Sequence, residues 1–355
     1  MSLVQDALQP KPTISRILLG IGSEDGREPH KVAVDLLQTL SHLLKFTSLG
    51  NKMVQYFESD DTEDAKKVHS LFSGMLERLL ALGESVRSIK AINIACGDAL
   101  ATLLGTLSLV DFVDTIEVLL QRPKDNLRRQ VLRLLENRLD NSNDRDAASQ
   151  SKALSFLSVL VGIVETFPDI LLKHAAVACM EKISEKYGKK NPEKVVEAAI
   201  VVAGDKCMGL ADNRIRIMGT LCLASMTEVI ADAIIPVLPV ALPRSLELLQ
   251  SSIQAKEQNP ELHDAIYSLL SALFVHIPYM ISSEDLDKIL CLSSRSAHVS
   301  LSEDCNINRQ EALQLLAKRV DAKEVYNAVE RNWHFSVSNG SKVSLTYLLI
   351  TDTRG

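Results

Sequence analysis

The sequence predicts an all-α chain of stacked helix pairs, and three observations carry that reading. Apolar residues make up 46% of the 355 but aromatics only 4%, so Leu, Ala, Val and Ile dominate. Helices packed on helices are built from such aliphatics, whereas sheet cores draw more on β-branched and aromatic residues. Gly (15) and Pro (11) are too sparse for an all-β chain of tight turns. Finally, a polar turn followed by an apolar helical stripe recurs at intervals in the forties.

The elements justify this in chain order. Residues 1–64 are expected to hold N-terminal helices and an acidic loop around Asp60, Asp61 and Asp64. The stretch around Gly20, Gly22 and Gly26 departs from phosphate-loop spacing and carries acids where an anion would sit, so it is a plain loop. Residues 1–10 lack the charged start and apolar run of a secretory signal. Glu84, Ser85, Val86 and Arg87 lead into Ile89 as a weak first copy of the turn motif. Residues 110–121 form a helix that Pro123 stops, and residues 149–167 one that Pro168 stops. Asp125-Asn126, Asp169 and Asp212-Asn213 each open a helix whose first N–H groups they are placed to cap. Pro236, Pro239 and Pro243 fit a helix start or a kinked first helix. Asn259-Pro260 and Asp304 open two further copies, and residues 324–337 read as helix. The uncharged run 265–283 contains Pro278 and lies between Asp264 and Glu284, which fits a buried helix and turn better than a membrane span.

The landmarks Arg87, Arg129, Lys173, Arg216, His263 and Arg309 stand 42, 44, 43, 47 and 46 residues apart. Two helices per unit at that period are the signature of HEAT or armadillo arrays. One such pair cannot bury its apolar stripe alone, and stacking makes the core continuous. The expectation is therefore a HEAT/armadillo-like α-solenoid superhelix of about six to seven helix pairs over residues 65–338, followed by an irregular tail, 339–355. In each copy the basic landmark is expected to pair with the turn acid of the preceding repeat.

Chemistry is sparse. The six cysteines contain no C-x-x-C pair and sit mostly in apolar runs, so they read as small buried hydrophobes in a reducing compartment. The eight histidines show no metal-ligand spacing, and no nucleophile elbow occurs. No enzyme, metal or cofactor is expected. The net charge of −6 excludes a broadly basic surface, which leaves local patches. Residues 122–138 carry six cations against two acids, including Arg122, Lys124, Arg128, Arg129 and Arg133. Lys189 and Lys190 belong to a second cluster. Arg129 and Arg133 share a helix face, and these cations are the candidate contacts for RNA phosphates or an acidic partner.

Three stretches carry a specific resemblance. Residues 121–139 (around Asp125-Asn126-Leu127-Arg128-Arg129), the proline-rich 235–243, and 325–333 with the lone Trp333 ahead of Gly340 resemble the C-terminal part of the U-three small nucleolar RNA-associated protein ten family. These are very long HEAT-repeat proteins of the small-subunit processome, and the likeness runs over about residues 78–340. Because family members are several times longer, the resemblance implies that this chain is a fragment or short form. Residues 341–355 depart from the family, which continues in helix there. The resemblance further implies a non-catalytic nuclear and nucleolar scaffold in ribosome biogenesis. Its role there is processing of pre-18S rRNA and support of pre-rRNA transcription, and its partners are processome proteins and pre-rRNA or small nucleolar RNA. Neither a membrane nor a small-molecule substrate is implied. A HEAT adaptor of another kind, a transport receptor or phosphatase scaffold, shares every repeat feature and stands as the alternative.

Overall fold

The computed structural model describes residues 29–46, 63–86, 88–141, 146–255, 257, 259–297, 299 and 301–335. The glycine loop, Asp60 and Asp61 of the acidic loop, Arg87 and the tail 339–355 lie outside the described residues. Among those described are fourteen α-helices and no strand. They are α1 (Pro29–Phe46), α2 (Glu63–Ser85), α3 (Lys90–Leu104), α4 (Leu109–Leu120), α5 (Asp125–Asn141), α6 (Ala147–Thr166) and α7 (Ile170–Tyr187). After them come α8 (Pro192–Ala203), α9 (Asn213–Ile230), α10 (Leu238–Gln254), α11 (Pro260–His276), α12 (Ser283–Ser296), α13 (Glu303–Arg319) and α14 (Ala322–Phe335).

The chain divides into two compact units, Met1–Thr115 and Ile116–Gly355. In the first, α3 packs against both α1 and α2. In the second, the helices sort into two layers. The second helices of the pairs, α5, α7, α9, α11 and α13, pack each on the next, and the first helices, α6, α8, α10, α12 and α14, do the same. Each layer is thus built between repeats, the arrangement that the sequence period requires.

Local chemistry sets the helix starts. The Asp169 carboxylate accepts from the Leu171 and Leu172 amides (2.8 and 3.1 Å), and Asp212 accepts from that of Arg214 at 2.9 Å. Asp146, Asn191, Asn259, Ser282 and Ser302 cap α6, α8, α11, α12 and α13 in the same way. Two expected openings fall elsewhere. Ser302 caps α13, so Asp304 lies already inside the first turn. Helix α2 runs through Ser85, so Glu84 and Ser85 end one helix rather than open the next. Pro236 sits in a 3-10 turn, Ala231–Val237, Pro239 at the start of α10 and Pro243 within it.

The core is aliphatic, with Leu132, Leu135, Val177, Met180, Met226 and Ile266 wholly buried. Each such side chain stabilises the fold by about 1.5–3 kcal/mol. Residues one repeat apart touch directly. The Cys179 thiol donates to the Leu132 carbonyl (3.2 Å), that of Cys222 to Val177 (3.8 Å) and that of Cys305 to Pro260 (3.9 Å). Asn308 reaches Asp264 at 3.2 Å, and Arg331 grips Asp287 at 2.9 Å, each pair 44 residues apart. Gly219 lets α9 approach the loop before it, because a Cβ there would stand 3.0 Å from Met208 Cγ and 3.1 Å from Cys207 Sγ.

Helix α6 and the stretch 213–254 are long and apolar enough by composition to cross a membrane. Their apolar faces are taken up by neighbouring helices: α6 packs on α7 and α8, and α9 on α7 and α11.

Candidate partner-binding face

Three of the repeat landmarks, Lys173, His263 and Arg309, turn inward. Lys173 is 3% exposed and donates to the Lys206 carbonyl at 2.7 Å, and its burial lowers its pKa. His263 is fully buried, with neither ring nitrogen bonded, and Arg309 is 6% exposed with its Nε unbonded. Lys173 ties α7 to the loop before α9, and His263 and Arg309 lie buried in the interior, so the three are not a contact surface. Among the described landmarks, Arg129 pairs with a turn acid, its Nε lying 3.7 Å from Asp169. Asp169 caps the following second helix, so the pair reaches forward along the array, opposite to the expected direction.

The seven candidate cations separate into different roles. Arg128 is spent on the fold: its Nε donates to the Leu120 carbonyl (2.9 Å), its Nη1 meets Asp125 (2.8 Å), and its guanidinium lies 4.4 Å from the Phe167 ring centre. Arg129 is tied to Asn126 and Asp169. Arg122, Lys124 and Arg133 are exposed, the first two in the turn before α5 and the third on its outer side. Lys189 and Lys190 are exposed in the 3-10 turn Gly188–Lys190, beyond the far end of α7. Helix α7 starts at the Arg129–Asp169 contact, so its length puts Lys189 about 30 Å from that end of the repeat. The two basic clusters therefore lie toward opposite ends of a repeat.

Arg133 has neighbours that the sequence reading missed. His174 on α7 lies within electrostatic range of Arg133, Glu136, Arg214 and Asp212, and its pKa is lowered chiefly by burial. Further along the same helices, Lys182 stands 3.4 Å from both Asp140 and Glu185. Ser225 donates to Glu185 at 3.1 Å, and His276 meets Glu228 at 2.9 Å. Burial, and then the negative charge of Glu185, raise the Glu181 pKa. On the outer side of the second-helix layer Arg133 stands exposed and Arg214 pairs with Asp212 at 2.7 Å, while toward the helix ends carboxylates and the amines of Lys182 and Lys186 lie together. One signal in the sequence marks the carboxylates: Glu185 and Glu228 each stand 16 residues after the Asp that caps their helix.

Among the described residues no group of three or more His, Cys, Asp or Glu is placed to hold a metal ion. In the first unit an open hollow of ≈ 290 Å³ is lined by Lys67, Ser70, Leu71, Gly74, Met75 and Arg78.

No family model matches the chain. Curated relatives do. U3 small nucleolar RNA-associated protein 10 of Coccidioides immitis is 62% identical over 342 residues, which is 96% of this chain and 19% of that protein. The proteins of the same name from Neosartorya fischeri and Aspergillus oryzae are 57% and 56% identical over 96% and 97% of the chain, again 19% of their length. The chain thus spans about a fifth of the relatives it matches. Among solved structures, the Kap95 chain of a Kap95:Nup1 complex superposes with a TM-score of 0.61 at 14% identity, covering 99% of this chain and 43% of that one. Kap121p bound to RanGTP gives 0.60 at 12% identity, covering 97% and 36%. Both support the helical-repeat fold.

Proposed function

This chain is kin to one stretch of U3 small nucleolar RNA-associated protein 10, and from that kinship we propose that it is a non-catalytic scaffold segment in ribosome biogenesis. The single observation that carries the reading is identity of 62% along 96% of the chain. A protein associated with a small nucleolar RNA works in the nucleolus, beside pre-ribosomal RNA. The proposed role is to hold processome proteins and RNA together during processing of pre-18S rRNA and transcription of its precursor.

The fold supports such a role. Stacked repeats present long outer faces, and the landmarks Lys173, His263 and Arg309 are buried inside, which suits a contact surface. The cations placed to meet phosphate are exposed ones: Arg122 and Arg133 on one side of a repeat, Lys189 and Lys190 at its far end. RNA held this way binds through counterion release and weakens steeply with salt.

The test is to express the tagged chain in a fungal cell, image it, and measure the U3 RNA recovered with it at low and moderate salt. Nucleolar signal with salt-sensitive U3 recovery is expected. Diffuse cytosolic signal with U3 at background would overturn the reading and favour an adaptor of another kind.

A further inference from the structure

Two landmark side chains reach forward to the next unit of the array. Arg129 on α5 meets Asp169, which caps α7, at 3.7 Å, and Lys173 on α7 donates to the Lys206 carbonyl before α9 at 2.7 Å. Arg216 on α9 is half-buried, so water reaches part of it. His263 stands at the same place on α11 and makes no tie: it is fully buried, and neither ring nitrogen is bonded. Within electrostatic range of it on α13 lies Arg309, 6% exposed, with Nη1 on the Asn306 side chain (2.8 Å) and Nε unbonded. The Tyr267 hydroxyl on α11, also buried, reaches Ser293 of α12 only at 3.5 Å. Polar groups closed away from water without partners weaken the contact that encloses them. Helices α11 and α13 thus meet over a polar patch, whereas α5, α7 and α9 meet over Leu132, Cys179, Val177 and Cys222.

The charges around His263 decide what a proton does there. Asp264 follows it on α11 and is engaged by Asn308 of α13, which donates at 3.2 Å. Helix α13 contributes Arg309, and its Cys305 thiol lies by Asp264. Helix α9 brings Glu228 to the opposite end of α11, 2.9 Å from His276, and α10 holds its Arg244 on Glu247 at 3.3 Å. Helix α12 presents Ser293 and Ser296, which carry no charge. An imidazolium at His263 therefore sits buried against a guanidinium, while one at His276 faces a carboxylate. Burial, and then Arg309, already lower the His263 pKa against the pull of Asp264.

We infer that the contact between α11 and α13 is an acid-sensitive joint: a proton on His263 parts α13 from α11, while α5, α7, α9 and α11 stay stacked. With the joint open, water solvates both cations and His263 titrates near the ordinary histidine value of 6.5. The opening constant then grows as pH falls below that value, by up to about tenfold per unit, until the closed joint binds the proton too. Acid has the opposite sense between α9 and α11, where a charged His276 strengthens its tie to Glu228. The joint is a property of the array and stands whether or not the scaffold reading holds.

The test is hydrogen exchange of the full chain, read by mass spectrometry as protection factors at about pH 7 and about pH 5.5, with the intrinsic pH dependence of exchange divided out. Protection of α13 is expected to fall by about threefold to tenfold, and that of α7 and α9 by less than about twofold. His263→Gln keeps a polar side chain that cannot charge, and is expected to hold α13 protection constant between the two pH values. If that variant fails to fold, His263→Leu reads the same loss of pH dependence. Three outcomes would each overturn the inference: α13 protection that does not change with pH, an equal fall in all the helices of the unit, or an acid response that survives in a folded His263 variant. The first two are read on the unaltered chain and need no variant to fold.

Discussion

Ala231 closes α9 with φ at 48° and ψ at −121°, a conformation that a β-carbon resists. The chain accepts it because the next residues turn at once into the 3-10 segment that leads to the prolines of α10. Such strain costs about 1–3 kcal/mol. Glycine at that position loses about 0.4–1 kcal/mol through its freer unfolded chain. The relief exceeds the loss, so Ala231→Gly should stabilise the protein by about 1 kcal/mol, read as a higher urea midpoint at unchanged slope. A lower midpoint would show that the turn is unstrained. His263 makes the opposite kind of prediction. It is wholly buried, and its pKa is lowered by burial and then by Arg309, with Asp264 opposing. The folded state therefore binds fewer protons at this site than the unfolded state does. Its contribution is fully present above the ordinary histidine value of 6.5 and is lost as pH falls through the lower folded value. The loss should amount to about 1.4 kcal/mol per unit of lowering. Urea titrations between pH 7 and 5 check this, and His263→Leu should flatten that part of the profile. An unchanged slope in the variant would assign the acid sensitivity elsewhere.

Helix α5 shows how cations of like appearance diverge in function. Arg128 carries a backbone bond, an ion pair and a ring contact, whereas Arg133 is exposed and, among the described residues, forms no ion pair. Arg128→Ala should cost about 2 kcal/mol, since a hydrogen bond to a charged group contributes about 1.5–3 kcal/mol. Arg133→Ala should change stability by less than about 0.5 kcal/mol. Arg129→Ala should fall between, within the roughly 0–1 kcal/mol of an exposed pair. Chemical denaturation of the three variants gives the order, and equal costs for Arg128 and Arg133 would refute it. The same helix shows what the sequence reveals. Capping by Asp169 and Asp212 was legible because the bond is local, closing within three residues. The face shared by Arg129 and Arg133 was legible from four-residue spacing. The pairing of Arg129 with Asp169 was not, since its direction depends on which neighbouring helix lies alongside. Ser302 was overlooked because Asp304 offers the same chemistry two positions later. The carboxylates near the helix ends were missed for another reason: they come together only when α5, α7 and α9 are laid side by side.

At the scale of the whole second unit, stability is a sum over neighbours. Helix α7 packs between α5 and α9, and α9 between α7 and α11, while α13 has one neighbour in its own layer, α11, among the described residues. In such arrays a repeat with fewer interfaces opens first. The cysteines report this directly. Five are buried and Cys291 is partly exposed. Burial pushes Cys207 and Cys305 up to about 12 and Cys96 to about 11, and holds Cys179 and Cys222 well above the ordinary thiol value. Thiol reagents attack the thiolate, so these five are shielded twice, by sterics and by protonation. In native buffer Cys291 should therefore label first, and the rest only as helices separate. Under stepwise urea, Cys305 on α13 should label at a lower concentration than Cys179 and Cys222, whose helices have neighbours on both sides. Pulse alkylation followed by peptide mass spectrometry gives the order residue by residue. Simultaneous labelling of all three would mean that the unit unfolds as one cooperative body. Earlier labelling of Cys222 than of Cys305 would place its weakest interface between α7 and α9, where the Cys222 thiol meets the Val177 carbonyl.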